Sequence, residues 1–131
     1  MNPTPYKKEK KRGELMNKLK VRDALVKKEK NRLNRLFKDV PKNKLKTAEG
    51  LIIQAARLRI LLDEMWIDIT ENGDVELFSQ SEKQDPYERE RPIAKLYNSR
   101  DQSYQRIIKQ LTDLIPEEKM SGNSNDGSDL I

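Results

Sequence analysis

Residues 47–66, TAEGLIIQAARLRILLDEMW, predict a helix with two apolar faces. Thr47 is a suitable N-cap, and the first face includes Ile52, Ala55 and Leu62, spaced by three and seven residues. A second apolar row lies more than about 90° round the helix axis from the first face, at about 100° of rotation per residue. Its members are Ile53, Ala56, Ile60 and Ile67. Two apolar faces need two partners, so we expect one face to pack within the chain and the other to contact a second copy. Burial of both faces within one monomer is the alternative.

A helix is predicted on each side of this segment. From about Glu14 the apolar stripe of the first helix is Leu15, Leu19, Val26, Leu33, Leu36, Phe37 and Val40, and Pro41 ends it. Pro92 is well placed in the first turn of the third helix, which Pro116 ends. The stripe of that helix is Ile93, Leu96, Tyr97, Tyr104, Ile107, Ile108, Leu111, Leu114 and Ile115.

A short β-hairpin is predicted near residues 67–78. Apolar and polar residues alternate at 67–70 and again at 75–77, the period of a half-buried strand. Asn72-Gly73 lies between these segments and readily supplies the positive φ angles of a two-residue hairpin turn. Residues 79–91 are polar and predict a loop.

The predicted fold is therefore mainly α, with a helical core of about three helices and one hairpin at residues 14–116. Residues 1–13 cluster Lys and Arg around Pro3, Pro5 and Gly13, which predicts a flexible basic arm. Residues 117–131 are rich in Ser, Gly, Asn and Asp, which predicts a disordered acidic tail.

Composition excludes several classes of protein. The 131 residues include no cysteine and no histidine, which removes disulfides, thiolate zinc sites and the usual general base near neutral pH. The glycine-rich loop of a nucleotide-binding P-loop is absent from the sequence. No apolar run approaches the length of a membrane span. We expect a soluble intracellular protein that uses no cofactor, no metal and no membrane.

The best candidate for catalysis is the group of carboxylates at Asp63, Glu64 and Asp68. Oxygen ligands at that density suit Mg²⁺, which a metal-dependent nuclease requires. Acidic residues at a helix end are also ordinary solvated residues, and no basic or hydroxyl group with evident catalytic geometry accompanies these three. We therefore predict that the protein is not an enzyme.

Charge is distributed very unevenly along the chain. Residues 1–46 hold 17 basic and 5 acidic side chains, a net charge of +12, whereas the other 85 residues carry −7. Such an excess predicts a polyanionic partner, and double-stranded DNA is the natural one. A lysine-rich solvated helix surface is the alternative. The predicted DNA-binding residues are Lys7, Lys8, Lys10, Lys11, Arg12, Lys18, Lys20, Arg22, Lys27, Lys28, Lys30, Arg32 and Arg35.

Several segments resemble one group of small terminase subunits of tailed bacteriophages. The segments are LFKDVP at 36–41, Lys44-Leu45, EGLI at 49–52, the Asn72-Gly73 turn and IKQLTDLIP at 108–116. The match spans about residues 31–116 and rests on helix-packing residues. It implies a non-enzymatic, ring-forming component of the DNA-packaging motor, acting in the cytoplasm of the infected bacterial host.

The resemblance also implies a partner. Small terminase subunits present viral DNA to a large subunit with ATPase and nuclease activity, and by analogy residues 117–131 would contact that subunit. This sequence lacks the N-terminal helix-turn-helix pattern of many small terminases. A nucleic-acid-binding accessory protein without a packaging role is therefore the alternative function.

Overall fold

The computed structural model describes residues 5–117, which form three α-helices and one antiparallel hairpin. The helices are α1 (Pro5–Leu36), α2 (Leu45–Asn72) and α3 (Pro92–Asp113), and the strands are β1 (Val75–Phe78) and β2 (Tyr87–Glu90). A 3₁₀ turn at Lys42–Lys44 leads into α2. The predicted mainly helical fold is confirmed.

Helix α1 is longer than predicted at its start and shorter at its end. It begins at Pro5 instead of near Glu14, so residues 5–13 are its first turns and not a separate arm. Proline is favoured at the first helical position, and Lys, Arg, Glu and Leu all favour a helix. Gly13 costs only about 1 kcal/mol relative to alanine. Residues 1–4 of the predicted arm lie outside the described residues.

Helix α2 packs against α1 on one side and α3 on the other. The buried cluster between the helices consists of Leu33, Val40, Ala48, Ile52, Ala55, Ala56 and Leu111. Of the stripe predicted for the first helix, Leu33 and Val40 are buried, whereas Leu15, Leu19 and Leu36 are exposed. Only the second half of α1 therefore contributes to the core.

The predicted hairpin exists, but its position near residues 67–78 was wrong. Helix α2 continues through Ile67 and Ile69 to Asn72. Gly73 closes the last turn with an N–H bond to the Ile69 carbonyl (2.7 Å), and its φ of 81° ends the helix. Asn-Gly is a signal for a helix C-terminus as well as for a hairpin turn. The strands instead pair Val75 with Glu90 and Phe78 with Tyr87 across residues 79–86, so part of the predicted loop is strand β2.

Arg91 connects the hairpin to both neighbouring helices. Its side chain donates hydrogen bonds to the Gly73 carbonyl (2.6 Å) and to Asp68 Oδ1 (2.8 Å), and its backbone N–H donates to the Asp74 carbonyl (2.8 Å). Helix α3 begins at the predicted Pro92, directly after this residue. Beyond Glu117, the predicted acidic tail lies outside the described residues.

Candidate nucleic-acid interface

All thirteen cations predicted to bind DNA lie on one helix, α1. Every one of these side chains is exposed except Lys30, which is half-buried. The helix contains only four acidic residues against these thirteen, a net charge of +9 over residues 5–36. Because a single continuous helix holds them, the cations have fixed positions relative to one another.

Arg22 and Arg32 are engaged by carboxylates. Arg22 donates from Nε to Glu64 Oε1 (2.9 Å) and from Nη2 to Glu64 Oε2 (2.5 Å), which connects α1 to α2. Arg32 donates from Nε to both carboxylate oxygens of Glu29, which lies one turn earlier on the same helix. The hydrogen bonds to Glu64 and Glu29 raise the pKa of Arg22 and Arg32, respectively, above the ordinary arginine value. Sequence reasoning counted both arginines as DNA ligands, whereas the structure gives each an intramolecular partner.

The remaining cations include a group that points away from the core. Lys10, Lys20, Lys27, Lys28 and Arg35 lie about 110–170° round the α1 axis from the stripe of Val26 and Leu33. We call these five residues the outward face. No acidic residue shares this face between Lys20 and Arg35, since Asp23 and Glu29 lie toward the stripe. From Lys10 to Arg35 the face extends about 38 Å along the axis.

The outward face has the features of a phosphate-binding surface. Its length is close to that of one turn of duplex DNA, about 34–36 Å. Lys and Arg are the residues that neutralise backbone phosphates, and phosphate contacts fix position without selecting sequence. Between Lys10 and Arg35 the one large apolar side chain in this sector is Val21, which is 63% exposed, so packing within the chain does not account for this face.

The three carboxylates considered for catalysis do not form a site. Asp63 pairs with Arg59 (3.0 Å), Glu64 with Arg22 (2.5 Å) and Asp68 with Arg91 (2.8 Å). Each pair contains a different arginine. Across residues 5–117, no group of three acidic residues is arranged to hold a metal ion.

Asp68 is the carboxylate with the clearest electrostatic perturbation. Hydrogen bonds from Arg91 and then from Asn72 lower the pKa of Asp68 below its ordinary value. Sequence reasoning missed Arg91 as the residue that joins α2, the hairpin and α3. The only signal was an arginine directly before the proline that starts a helix.

The row predicted to mediate oligomerisation is divided by the fold. Ala56 and Ile60 are buried within the single chain, and Ala56 belongs to the same core cluster as Leu33 of α1. Ile53 is half-buried in a groove beside Val26 of α1, and Ile67 remains exposed. Ala56 and Ile60 are therefore corrected from interface to core, because the fold of the single chain buries both.

No family model, curated protein or solved structure matches this chain. Within residues 5–117, none of the helices combines the length and the apolar character needed to cross a membrane.

Proposed function

We propose that this chain is a non-enzymatic subunit that binds double-stranded DNA through the outward face of α1. The observation that carries the proposal is the row of five exposed cations on a helix of net charge +9. Lysines dominate the row, and a lysine ammonium acts on a phosphate as a point charge. Binding is therefore tolerant of sequence and strongly dependent on salt.

The resemblance over residues 31–116 supports a more specific role, that of a phage small terminase subunit. In that role several copies hold viral DNA and deliver it to the large terminase ATPase and nuclease, in the cytoplasm of the infected host. One helix binds DNA weakly, but linked copies act at a high effective concentration and bind far more tightly. Residues 117–131 are the segment proposed to contact the large subunit.

The test compares two sets of five substitutions. In the first variant Lys10, Lys20, Lys27, Lys28 and Arg35 become Gln; in the control, five exposed cations outside α1 do, namely Lys83, Lys95, Arg100, Arg106 and Lys109. We expect the outward-face variant to lose affinity for duplex DNA, and its log K against log[salt] slope to fall by about 0.9 per phosphate contact removed.

The control variant also loses five positive charges but keeps the outward face intact. We therefore expect it to keep the wild-type salt slope. Equal losses in both variants would show that total charge, and not the outward face, determines binding. Circular dichroism of both variants checks that the helices are intact.

A specific observation favours the alternative of an accessory DNA-binding protein without a packaging role. The connections between helices within residues 5–117 are too long for a helix-turn-helix, since residues 37–44 and 73–91 separate the helices. Co-purification of the tagged chain with a large terminase subunit from infected cells distinguishes the two functions. A packaging subunit brings that ATPase with it, and an accessory protein does not.

A further inference from the structure

One face of the hairpin is left uncovered by the rest of the chain. Val75 and Leu77 are 48% and 73% exposed, and the strand register puts Glu90 and Glu88 directly opposite them. Residues opposite each other in an antiparallel pair share a face of the sheet. We call these four residues the hairpin face. Its two glutamates form no ion pair with any residue in 5–117.

The other face of the hairpin is occupied. Arg89 pairs with Glu76 (2.7 Å) and lies over the Phe78 ring, 3.5 Å from its centroid. Tyr87 meets the same ring edge-on. A two-stranded hairpin with one solvated apolar face is marginally stable, and packing against a further element stabilises it.

Helix α1 presents a surface with the opposite charge. Leu15 and Val21 are 66% and 63% exposed, and Lys18 lies between them with Lys11 two turns earlier. We call these four residues the α1 docking face. Leu15, Lys18 and Val21 line one groove beside the Arg22–Glu64 pair. Val21 borders the outward face, whereas Lys11 and Lys18 lie further round the axis from it.

We propose that the hairpin face of one copy docks on the α1 docking face of the next copy. The two surfaces match in chemistry, because each combines two exposed apolar side chains with two charged ones, carboxylates on the hairpin and ammonium groups on α1. Both surfaces are exposed within one chain, so the chain's own α1 does not cover its hairpin. Contact between two different surfaces is head-to-tail, and such contacts close into rings when the rotation permits.

This inference rests on the proposed function, in which several copies of the chain act together on DNA. It also assigns separate roles to the cations of α1. Lys11 and Lys18 hold the neighbouring subunit, and the five residues of the outward face remain available to phosphate. Complementary charges at such a contact favour the correct partner surface and disfavour like-charged surfaces.

Charge reversal on the full-length chain tests the contact, with native mass measured by light scattering at micromolar protein. We expect the wild type to be oligomeric, and E88K/E90K and K11E/K18E each to be monomeric. Mixing the two variants should restore the oligomer, because each reversed surface then finds an opposite charge on the other variant. A matched control, E49K/E117K, reverses two exposed carboxylates elsewhere and should keep the wild-type mass.

A monomeric wild type, an unchanged mass in either variant, or monomeric variants that fail to assemble on mixing would overturn the contact. The DNA titration separates this result from the proposed function. If the wild type associates as described but does not bind DNA, the docking stands and the proposed function fails. If it binds DNA through the outward face without associating as described, the docking fails alone.

Discussion

Gly73 holds a backbone conformation that only glycine adopts without strain. Its φ of 81° and ψ of 175° lie in a region closed to residues with a Cβ, although a Cβ there would meet no atom within 4 Å. We expect Gly73→Ala to destabilise the protein by about 1–3 kcal/mol. Gly50, inside α2, also has nothing within 4 Å. Gly50→Ala should stabilise by about 0.5–1 kcal/mol, because the helix interior favours alanine. Urea unfolding of both variants measures the difference, and equal effects would contradict the assignment of strain to Gly73.

The Asp68–Arg91 pair makes a part of the stability depend on pH. Because the pKa of Asp68 is lowered in the folded state, the unfolded chain takes up this proton more readily. The contribution is complete above the unfolded pKa of about 3.9 and is lost as the pH falls through the lower folded value. We expect Asp68→Asn to be less stable than wild type at pH 6, and the gap to shrink toward pH 3. Urea midpoints across this range measure it, with Arg91→Gln as the companion variant that should behave alike. A gap that stays constant with pH would contradict the role of the carboxylate.

Ion pairs between distant residues are the part of the site that sequence reasoning could not reach. Asp63 and Arg59 are four residues apart, and helical spacing predicts such a pair. Arg22 and Glu64 are 42 residues apart, and Arg91 and Asp68 are 23 apart. Only the antiparallel packing of α1 on α2 and the position of the hairpin bring them together. The sequence therefore could not show that the three carboxylates pair with three separate arginines.

At the scale of elements, the side of α1 on which a residue lies determines how the protein responds to its substitution. Leu33 is buried at the α1–α2 contact, whereas Leu36, one turn later, is exposed. We expect Leu33→Ala to cost about 2–5 kcal/mol and Leu36→Ala less than about 0.5 kcal/mol. Chemical denaturation of the two variants measures both values. Similar losses would show that the end of α1 packs more closely than the structure describes.

The elements themselves were predicted to different degrees, for physical reasons. The start of α3 was evident because an apolar stripe with helical spacing follows Pro92 directly, whereas no such stripe follows Pro5. The hairpin was displaced because Ile67 and Ile69 alternate with polar residues and Asn72-Gly73 follows them. Those residues satisfy both the strand pattern and a helix that ends in glycine. Periodicity identifies an apolar row but not what covers it, so it could not show that the single chain buries Ala56 and Ile60 and leaves Ile67 exposed.

At the scale of the whole molecule, an argument from total charge and an argument from assembly predict opposite changes in the DNA affinity of one variant. E88K/E90K changes the hairpin face from two negative charges to two positive ones, and simple electrostatics then predicts tighter DNA binding. If copies dock through this face, the same change separates them and removes the gain from linked binding, about 10²–10⁴-fold. We expect weaker binding to a long duplex that several α1 helices reach together, despite the added positive charge.

A short duplex that accommodates a single α1 provides the control for this prediction. Only one subunit engages it, so E88K/E90K should bind it as well as the wild type or slightly more tightly. Fluorescence anisotropy at one fixed salt concentration measures both duplexes. Tighter binding of the variant to both lengths would mean that charge alone determines affinity. The same protein variant is measured on both duplexes, so its charge and sequence are identical and only the number of bound subunits differs. A loss of affinity confined to the long duplex therefore requires that the outward faces of several copies act together.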